Sequence, residues 1–143
     1  MSNQRIKRAN AKMIEAHLYE YKDMTKAIAE MEDDIINSTG PQSTGSSHTA
    51  GSVSDTTASR AGMLADNFRL HQYRRMKKAI DCTLTALQTD PEPKKIQMIT
   101  MKYIDRRYTD FGIIKELPIS RRTFYRWRRQ TIELIAYYYG CEV

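Results

Sequence analysis

Five arginines lie close together in the segment ISRRTFYRWRR, residues 119–129, and they alternate with aromatic residues. A guanidinium group carries a permanent positive charge and five N–H donors in a planar fork, which matches phosphate oxygens and the major-groove edge of guanine. Phe124 and Trp127 are spaced as they would be on one face of a helix. The segment therefore predicts a helix that buries its aromatic face and presents arginines to a polyanion, of which nucleic acid is the commonest.

The residues before this segment predict how the helix is positioned. Pro118 lacks an amide hydrogen and disfavours helical geometry at Leu117, so a short helix should end there. Ser120 is a good N-cap, because its hydroxyl accepts a hydrogen bond from an unpaired amide of the next first turn. Gly140 is placed where a helix commonly ends. Two helices joined by a short turn, with the second one basic at its start, predict a DNA-binding helix-turn-helix.

The faces of the second helix separate core residues from charged ones. At about 100° per residue, one face carries apolar and neutral residues and the opposite face carries basic ones. We expect the core face to contain Phe124, Trp127, Thr131, Leu134, Ile135 and Tyr138. The alternative is a solvated amphipathic helix, which would leave the short helix and the sharp turn without a purpose.

The candidate DNA contacts fall into two groups. Residues near the start of a recognition helix meet base edges, and residues around it hold the backbone. We predict base contacts from Arg121, Arg122, Tyr125 and Arg126, and phosphate contacts from Lys102, Arg106, Arg107, Thr123 and Arg129.

The charge distribution agrees with this interpretation. The net charge is +6, but residues 94–129 contain eleven Lys and Arg against three Asp and Glu, whereas residues 1–37 are nearly neutral. The two cysteines have no paired spacing, which indicates reduced thiols in a cytoplasmic protein. No segment reaches the roughly 20 apolar residues that span a bilayer, so we expect no membrane partner.

No residues are spaced for catalysis or metal binding. The three histidines are isolated from Cys, Asp and Glu at ligand spacing, and there is no glycine-rich phosphate loop. We therefore expect a protein that is not an enzyme and has no catalytic residues, no metal and no cofactor.

Residues 1–37 show a heptad seam. Ile14, Tyr21, Ile28 and Ile35 recur every seven residues on a stretch without Gly or Pro. Two partners fit this seam about equally: the same helix of a second copy, or a later helix of the same chain. A homo-oligomer is thus one expectation.

The whole chain is predicted to be all-α. A Ser/Thr/Gly-rich spacer, too poor in large apolar residues to order, should separate the first helix from a long middle helix. A further helix from about Pro93 to Arg107 should complete the core of the helix-turn-helix. The predicted parts are residues 1–37 (heptad helix), 38–56 (flexible spacer), 57–90 (middle helix) and 91–143 (DNA-binding domain).

This order of elements, together with ISRRTFYRWRR and the terminal Tyr-Gly, resembles the small phage-encoded late-gene activators of the RinA/ArpU type. The last part also looks like region 4 of bacterial sigma factors. The resemblance implies an activator that binds double-stranded promoter DNA in the bacterial host cell, together with the host RNA polymerase, and switches on genes for packaging and morphogenesis.

Small terminase subunits, which act in DNA packaging, are the alternative class. They also combine DNA-binding helices with oligomerising ones. Their DNA-binding helices usually precede the assembly region, whereas here the order is reversed, and this favours the activator.

Overall fold

The computed structural model describes residues 7–38 and 53–140, and all regular structure in these residues is helical. The all-α prediction is confirmed. The described residues form five α-helices: α1 (Arg8–Ser38), α2 (Val53–Gln88), α3 (Pro93–Ile99), α4 (Asp110–Glu116) and α5 (Arg121–Tyr139). A π-helical segment, Thr100–Asp105, follows α3 directly. Most of the predicted spacer lies outside the described residues, and α2 begins at Val53, inside the last part of that spacer.

The chain forms two compact units, and each contains parts of both long helices. One unit comprises Met1–Met24 and Arg75–Val143, and it includes every predicted DNA contact; the other comprises Thr25–Arg74. The first is called the DNA unit after the predicted contacts, and the second, which contains none of them, is called the distal unit.

The core of the DNA unit is built from one face of each helical segment. The first half of the heptad seam belongs to this core: Ile14 is fully buried and Tyr21 is half-buried, and Leu18 and Met24 beside them are at most 2% exposed. The Tyr21 hydroxyl donates a hydrogen bond of 2.5 Å to Asp81 of α2. This part of the seam is therefore packed against other segments of the same chain, as the intramolecular alternative predicts. Self-association between chains stays a prediction. The other fully buried residues include Met76, Ile80, Leu87, Met98, Ile99, Tyr103, Ile113, Phe124 and Ile135.

The short helix, turn and long helix occur where the sequence predicted them. Thr109 caps α4 by accepting a hydrogen bond from the Gly112 amide at 3.1 Å. Ser120 caps α5 in the same way, accepting from the Thr123 amide at 3.0 Å. Gly140 ends α5 in the left-handed conformation, at φ 80°, which glycine adopts without strain.

The buried face of α5 is wider than predicted. Phe124, Trp127, Thr131 and Ile135 are buried as expected, but Leu134 is only half-buried and Tyr138 is 43% exposed. In its place Ile132 and Ala136 are buried, at 5% and 0% exposure. These two residues lie toward the side of α5 that carries Arg128, whose guanidinium bonds to α1. The helical period of α5 does not show that α1 packs on that side, and this contact accounts for the difference.

The π-helical segment ends in a strained residue. Arg106 has φ 55°, in the left-handed region that side chains with a Cβ rarely adopt, and its amide donates to the Met101 carbonyl. Each π turn inserts one extra residue relative to an α-helix, which rotates the side chains that follow. The segment buries Lys102 and Tyr103 immediately before α4 begins.

The distal unit has a thinner core. Leu70 is buried, and Arg74 of α2 forms an ion pair with Glu32 of α1. Leu64 and Phe68, which continue the apolar stripe of the middle helix in the sequence, are 70% and 65% exposed. Among the described residues, no helix combines the length and apolar character that crossing a membrane requires.

Trp127 offers a test of the α5 core. Its side chain is 5% exposed, so Trp127→Ala should lower the free energy of unfolding by about 3–5 kcal/mol. Denaturant unfolding followed by circular dichroism measures this change. Tyr137→Ala is the control on the same helix, because Tyr137 is 75% exposed, and it should change stability by no more than ~0.5 kcal/mol. Equal losses in the two variants would contradict the packing described.

Candidate nucleic-acid interface

Three arginines at the start of α5 point into solvent. Arg121, Arg122 and Arg126 are exposed, and none forms an ion pair with any residue of the described ranges 7–38 and 53–140. Elsewhere in the DNA unit several basic side chains do find carboxylates, including Lys77, Lys95, Lys102 and Arg128. The start of α5 is thus a patch of unneutralised positive charge on a rigid helix. We call Arg121, Arg122 and Arg126 the arginine patch.

The position of the patch on the helix is electrostatically unfavourable in the free protein. The first turn of α5 contains no acidic residue, and Arg121 and Arg122 lie where the helix dipole is already positive. Each such cation costs about 0.3–1 kcal/mol in an exposed first turn. An anion bound at this end would reverse the sign of that interaction.

The other predicted contacts on α5 differ in exposure and in the interactions that their side chains already make. Tyr125 is 47% exposed, and its ring lies edge-to-face against the buried Phe124 ring, which fixes its direction. Thr123 is half-buried, and its hydroxyl oxygen accepts a hydrogen bond from the Ser120 hydroxyl at 2.9 Å. Arg129 donates from Nε to Glu133 at 2.8 Å, so its charge is partly neutralised.

Arg106 and Arg107 lie just before α4, on the segment that leads into the helix-turn-helix. Both are exposed. Arg106 approaches Asp23 of α1 at 3.7 Å, a loose pair between exposed side chains that contributes little. Arg107 forms no ion pair with the described residues. The two guanidinium groups are therefore accessible to a phosphate.

The sequence predicts that Lys102 holds a phosphate, but the structure places this residue in the interior. Its side chain is only 8% exposed, and its ammonium donates to the Asp110 carboxylate at 2.6 Å. The rings of Tyr19, Tyr103 and Phe124 surround it, with centroids 5.3–5.8 Å from Nζ. Burial alone would lower the pKa of Lys102, but the bonds to Asp110 and Tyr19 outweigh burial and raise it. Lys102 thus connects the π-helical segment to α4 and faces inward, away from any DNA surface.

Arg128 has a role that the sequence analysis missed. Its Nε and Nη2 donate to the two carboxylate oxygens of Glu15, at 2.8 and 2.5 Å, in the bidentate geometry that makes such pairs strong. The Tyr103 hydroxyl donates to Glu15 as well, at 2.8 Å. Glu15 thereby joins α1, the π-helical segment and α5. The one available signal was that Arg128 lies off the face shared by Arg122, Arg126 and Arg129.

The carboxyl of Glu15 is held in its ionised form. Burial would raise its pKa, but the hydrogen bonds from Arg128 and Tyr103 outweigh burial and hold the pKa below the usual value of 4.5. Burial and the same carboxylate raise the pKa of Tyr103, which stays protonated and donates. The Arg128 pKa is raised by the Glu15 bond, so the pair is fully charged at neutral pH.

Residues 72–136 match the model of a family described as protein of unknown function (DUF1492). This span is somewhat less than half of the chain, and it extends from α2 to near the end of α5. No curated protein and no solved structure matches the chain.

Glu15 gives a pH-dependent test of the connection between α1 and α5. Because its folded pKa lies below the unfolded one, its contribution to stability is complete above the usual value of 4.5 and is lost as the pH falls through the folded pKa. At neutral pH, Glu15→Gln should destabilise the chain by about 1–3 kcal/mol, since Arg128 would lose its counter-charge. The stability of the Glu15→Gln variant should then fall less steeply than that of the wild type below pH 4.5.

Glu30→Gln is the matched control on the same helix. Its ion pair with Lys26 spans 3.9 Å between side chains that are 66% and 82% exposed. Exposed pairs of this kind contribute ~0–1 kcal/mol. Denaturant unfolding at a series of pH values measures all three proteins, and identical curves for Glu15→Gln and the wild type would refute a stabilising role for the pair.

Proposed function

We propose that this chain is a sequence-specific DNA-binding protein in which α5 is the recognition helix. The arginine patch and Tyr125 contact base edges in the major groove. Arg106, Arg107, Thr123 and Arg129 hold phosphates at the groove edges. Lys102 is left out of this set because it is buried against Asp110.

The observation that carries the proposal is the arginine patch itself. Three exposed guanidinium groups occupy the first two turns of α5, and no carboxylate among the described residues pairs with them. A short turn and a side-chain cap precede this helix. The patch stands where recognition helices of helix-turn-helix proteins meet base edges. Arginine is the residue that most often reads guanine there, through two hydrogen bonds to O6 and N7.

The core beneath the patch supports the same assignment. Phe124 and Trp127 are buried on the opposite face, and Arg128 is fixed to Glu15 on one side. A base-reading side chain must start from a backbone that does not shift on binding, because misplacement weakens its hydrogen bonds. The recognition helix is anchored on both of these faces.

Arg126 is the sharpest test of base recognition. A duplex is first selected from a random pool by the wild-type protein, and affinities are then measured for all four bases at each position. Arg126→Ala should relax the preference at one position by about 1–3 kcal/mol, the discrimination that a bidentate contact to guanine provides. Arg107→Ala should instead weaken binding to all sequences alike.

The control is Arg69→Ala, an exposed arginine on α2 in the distal unit, which should leave both affinity and preference unchanged. If Arg126→Ala retained the full preference at every position, α5 would not be the element that reads the sequence.

The further proposal is that binding activates transcription. The chain resembles phage late-gene activators of the RinA/ArpU type and sigma factor region 4. In this arrangement the DNA-reading helix follows the other helices, which are free to face the host RNA polymerase. The proposed site of action is a promoter of genes for packaging and morphogenesis.

Mapping of bound sites on phage DNA, followed by transcription in vitro with host polymerase, tests this role. We expect bound sites upstream of a transcription start and more transcript when the protein is added. An Arg126→Ala protein is the control, and it should lose most of the increase. Sites at a packaging start, with no change in transcript, would refute activation and favour a small-terminase role in packaging.

A further inference from the structure

A cleft of about 630 Å³ runs between the first turns of α1 and one side of α5. Both walls belong to the DNA unit. The α1 wall is formed by Arg8, Ala11, Lys12 and Glu15, and the α5 wall by Tyr125, Arg128, Arg129, Ile132 and Glu133. None of the α1 residues was among the predicted DNA contacts. We call this feature the basic cleft.

The charges in the basic cleft do not cancel. Glu15 is neutralised by Arg128 at 2.5 Å, and Glu133 by Arg129 at 2.8 Å. Arg8 and Lys12 remain, and neither forms an ion pair with the described part of the chain. Both side chains are exposed. The cleft therefore presents two positive charges that no described residue of the chain neutralises.

The spacing along α1 places both charges on the cleft side. Arg8 and Lys12 are one helical turn apart, and Glu15, which bonds to α5, follows Lys12 by three residues. The Glu15–Arg128 bonds therefore fix the direction in which Arg8 and Lys12 point. The rise of 1.5 Å per residue puts them roughly 5–10 Å from that anchor along the helix axis.

The basic cleft is continuous with the proposed DNA-reading face. Tyr125 and Arg129 line the cleft and also belong to the proposed contacts of α5. Ile132 and Glu133, farther along α5, line it too, so the cleft follows the helix away from its first turn. A recognition helix inserts its N-terminal part into the groove, and the later turns approach the phosphates at the groove edge.

We propose that Arg8 and Lys12 contact DNA phosphates beside the major groove that α5 enters, so that α1 extends the DNA-binding surface. The inference rests on the proposed function and adds a second element to it. Phosphates suit the basic cleft because exposed cations on an open wall can grip a polyanion from one side, whereas small-molecule sites enclose most of their ligand.

The test compares two double variants that remove the same charge. Arg8→Gln with Lys12→Gln alters the basic cleft and leaves the Glu15–Arg128 pair in place. Lys22→Gln with Lys78→Gln removes two exposed lysines of the same unit that do not line the cleft. Circular dichroism melting first establishes that both variants are folded. Dissociation constants are then measured over a range of NaCl concentrations, on the selected duplex and on a random-sequence duplex.

Loss of two phosphate contacts should reduce the slope of log K against log salt by about 1.8, since each contact contributes about 0.9. We expect this reduction for the cleft variant on both duplexes, with its base preferences unchanged, and a wild-type slope for the control variant. Equal changes in both variants would overturn the inference, because net charge alone would explain them. A wild-type slope for the cleft variant would also overturn it, and the cleft would then face some other anion.

Measuring Arg126→Ala in the same series separates this inference from the proposed function. If Arg126→Ala loses preference at one base pair while the cleft variant keeps its slope, α5 reads DNA and the inference about α1 fails. If the cleft variant loses slope while Arg126→Ala keeps its preference, α1 binds phosphates and the recognition-helix assignment fails.

Discussion

Three hydrogen bonds to the carboxylate of Glu15 connect α1, the π-helical segment and α5. Without them, the first two segments would be free to pack differently against α5. Two come from Arg128 and one from Tyr103, and the Glu15 side chain is left 18% exposed. Withdrawing these charges from water is costly, and their mutual attraction repays that cost only in good geometry, so the net gain is modest. The greater effect is on specificity: a different packing of α5 would leave a carboxylate and a guanidinium partly buried without partners. Lys102 and Asp110 act in the same way between the π-helical segment and α4.

Because of this constraint, the arginines in the first half of α5 have different roles. Arg128 is half-buried and sets the position of α5, and Arg129 forms an ion pair with Glu133 one turn later. The arginine patch has no counter-ion among the described residues, and the dipole of this helix end repels it. The repulsion between these arginines and the helix dipole slightly lowers the stability of the free protein. A bound anion would remove this loss. Sequence position alone does not separate these roles, since all five residues lie within one stretch of nine.

The sequence predicted the features that depend on residues close together in the chain. The cap at Ser120, the break at Pro118 and the end at Gly140 all depend on residues a few positions apart, and each is found where the sequence indicates it. The buried state of Lys102 could not be read in this way, because it depends on Asp110 and on rings from three different elements. Tyr138 was assigned to the core, yet Ile132 is buried and Tyr138 is exposed, because α1 packs beside Arg128. A helical period identifies an apolar face, but it does not reveal a second helix bound to the flank. The π turn has no recognisable sequence signal here, and it alters the faces of residues 100–105.

The separation of Glu15 and Arg128 in the chain has a consequence for biosynthesis. These residues are 113 positions apart, and Glu15 and Tyr103 are 88 apart, so the central ion pair is among the most non-local contacts of the protein. At about 5–20 residues per second, a ribosome delivers Arg128 on the order of ten seconds after Glu15. During that interval α1 and α2 can already pair, as the Tyr21–Asp81 bond shows, but the Glu15 carboxylate still lacks Arg128 of α5. Closing so long a loop is also slow relative to forming the helices themselves. The DNA unit should consequently assemble late and in one cooperative step, so that an interrupted chain would carry no competent recognition helix.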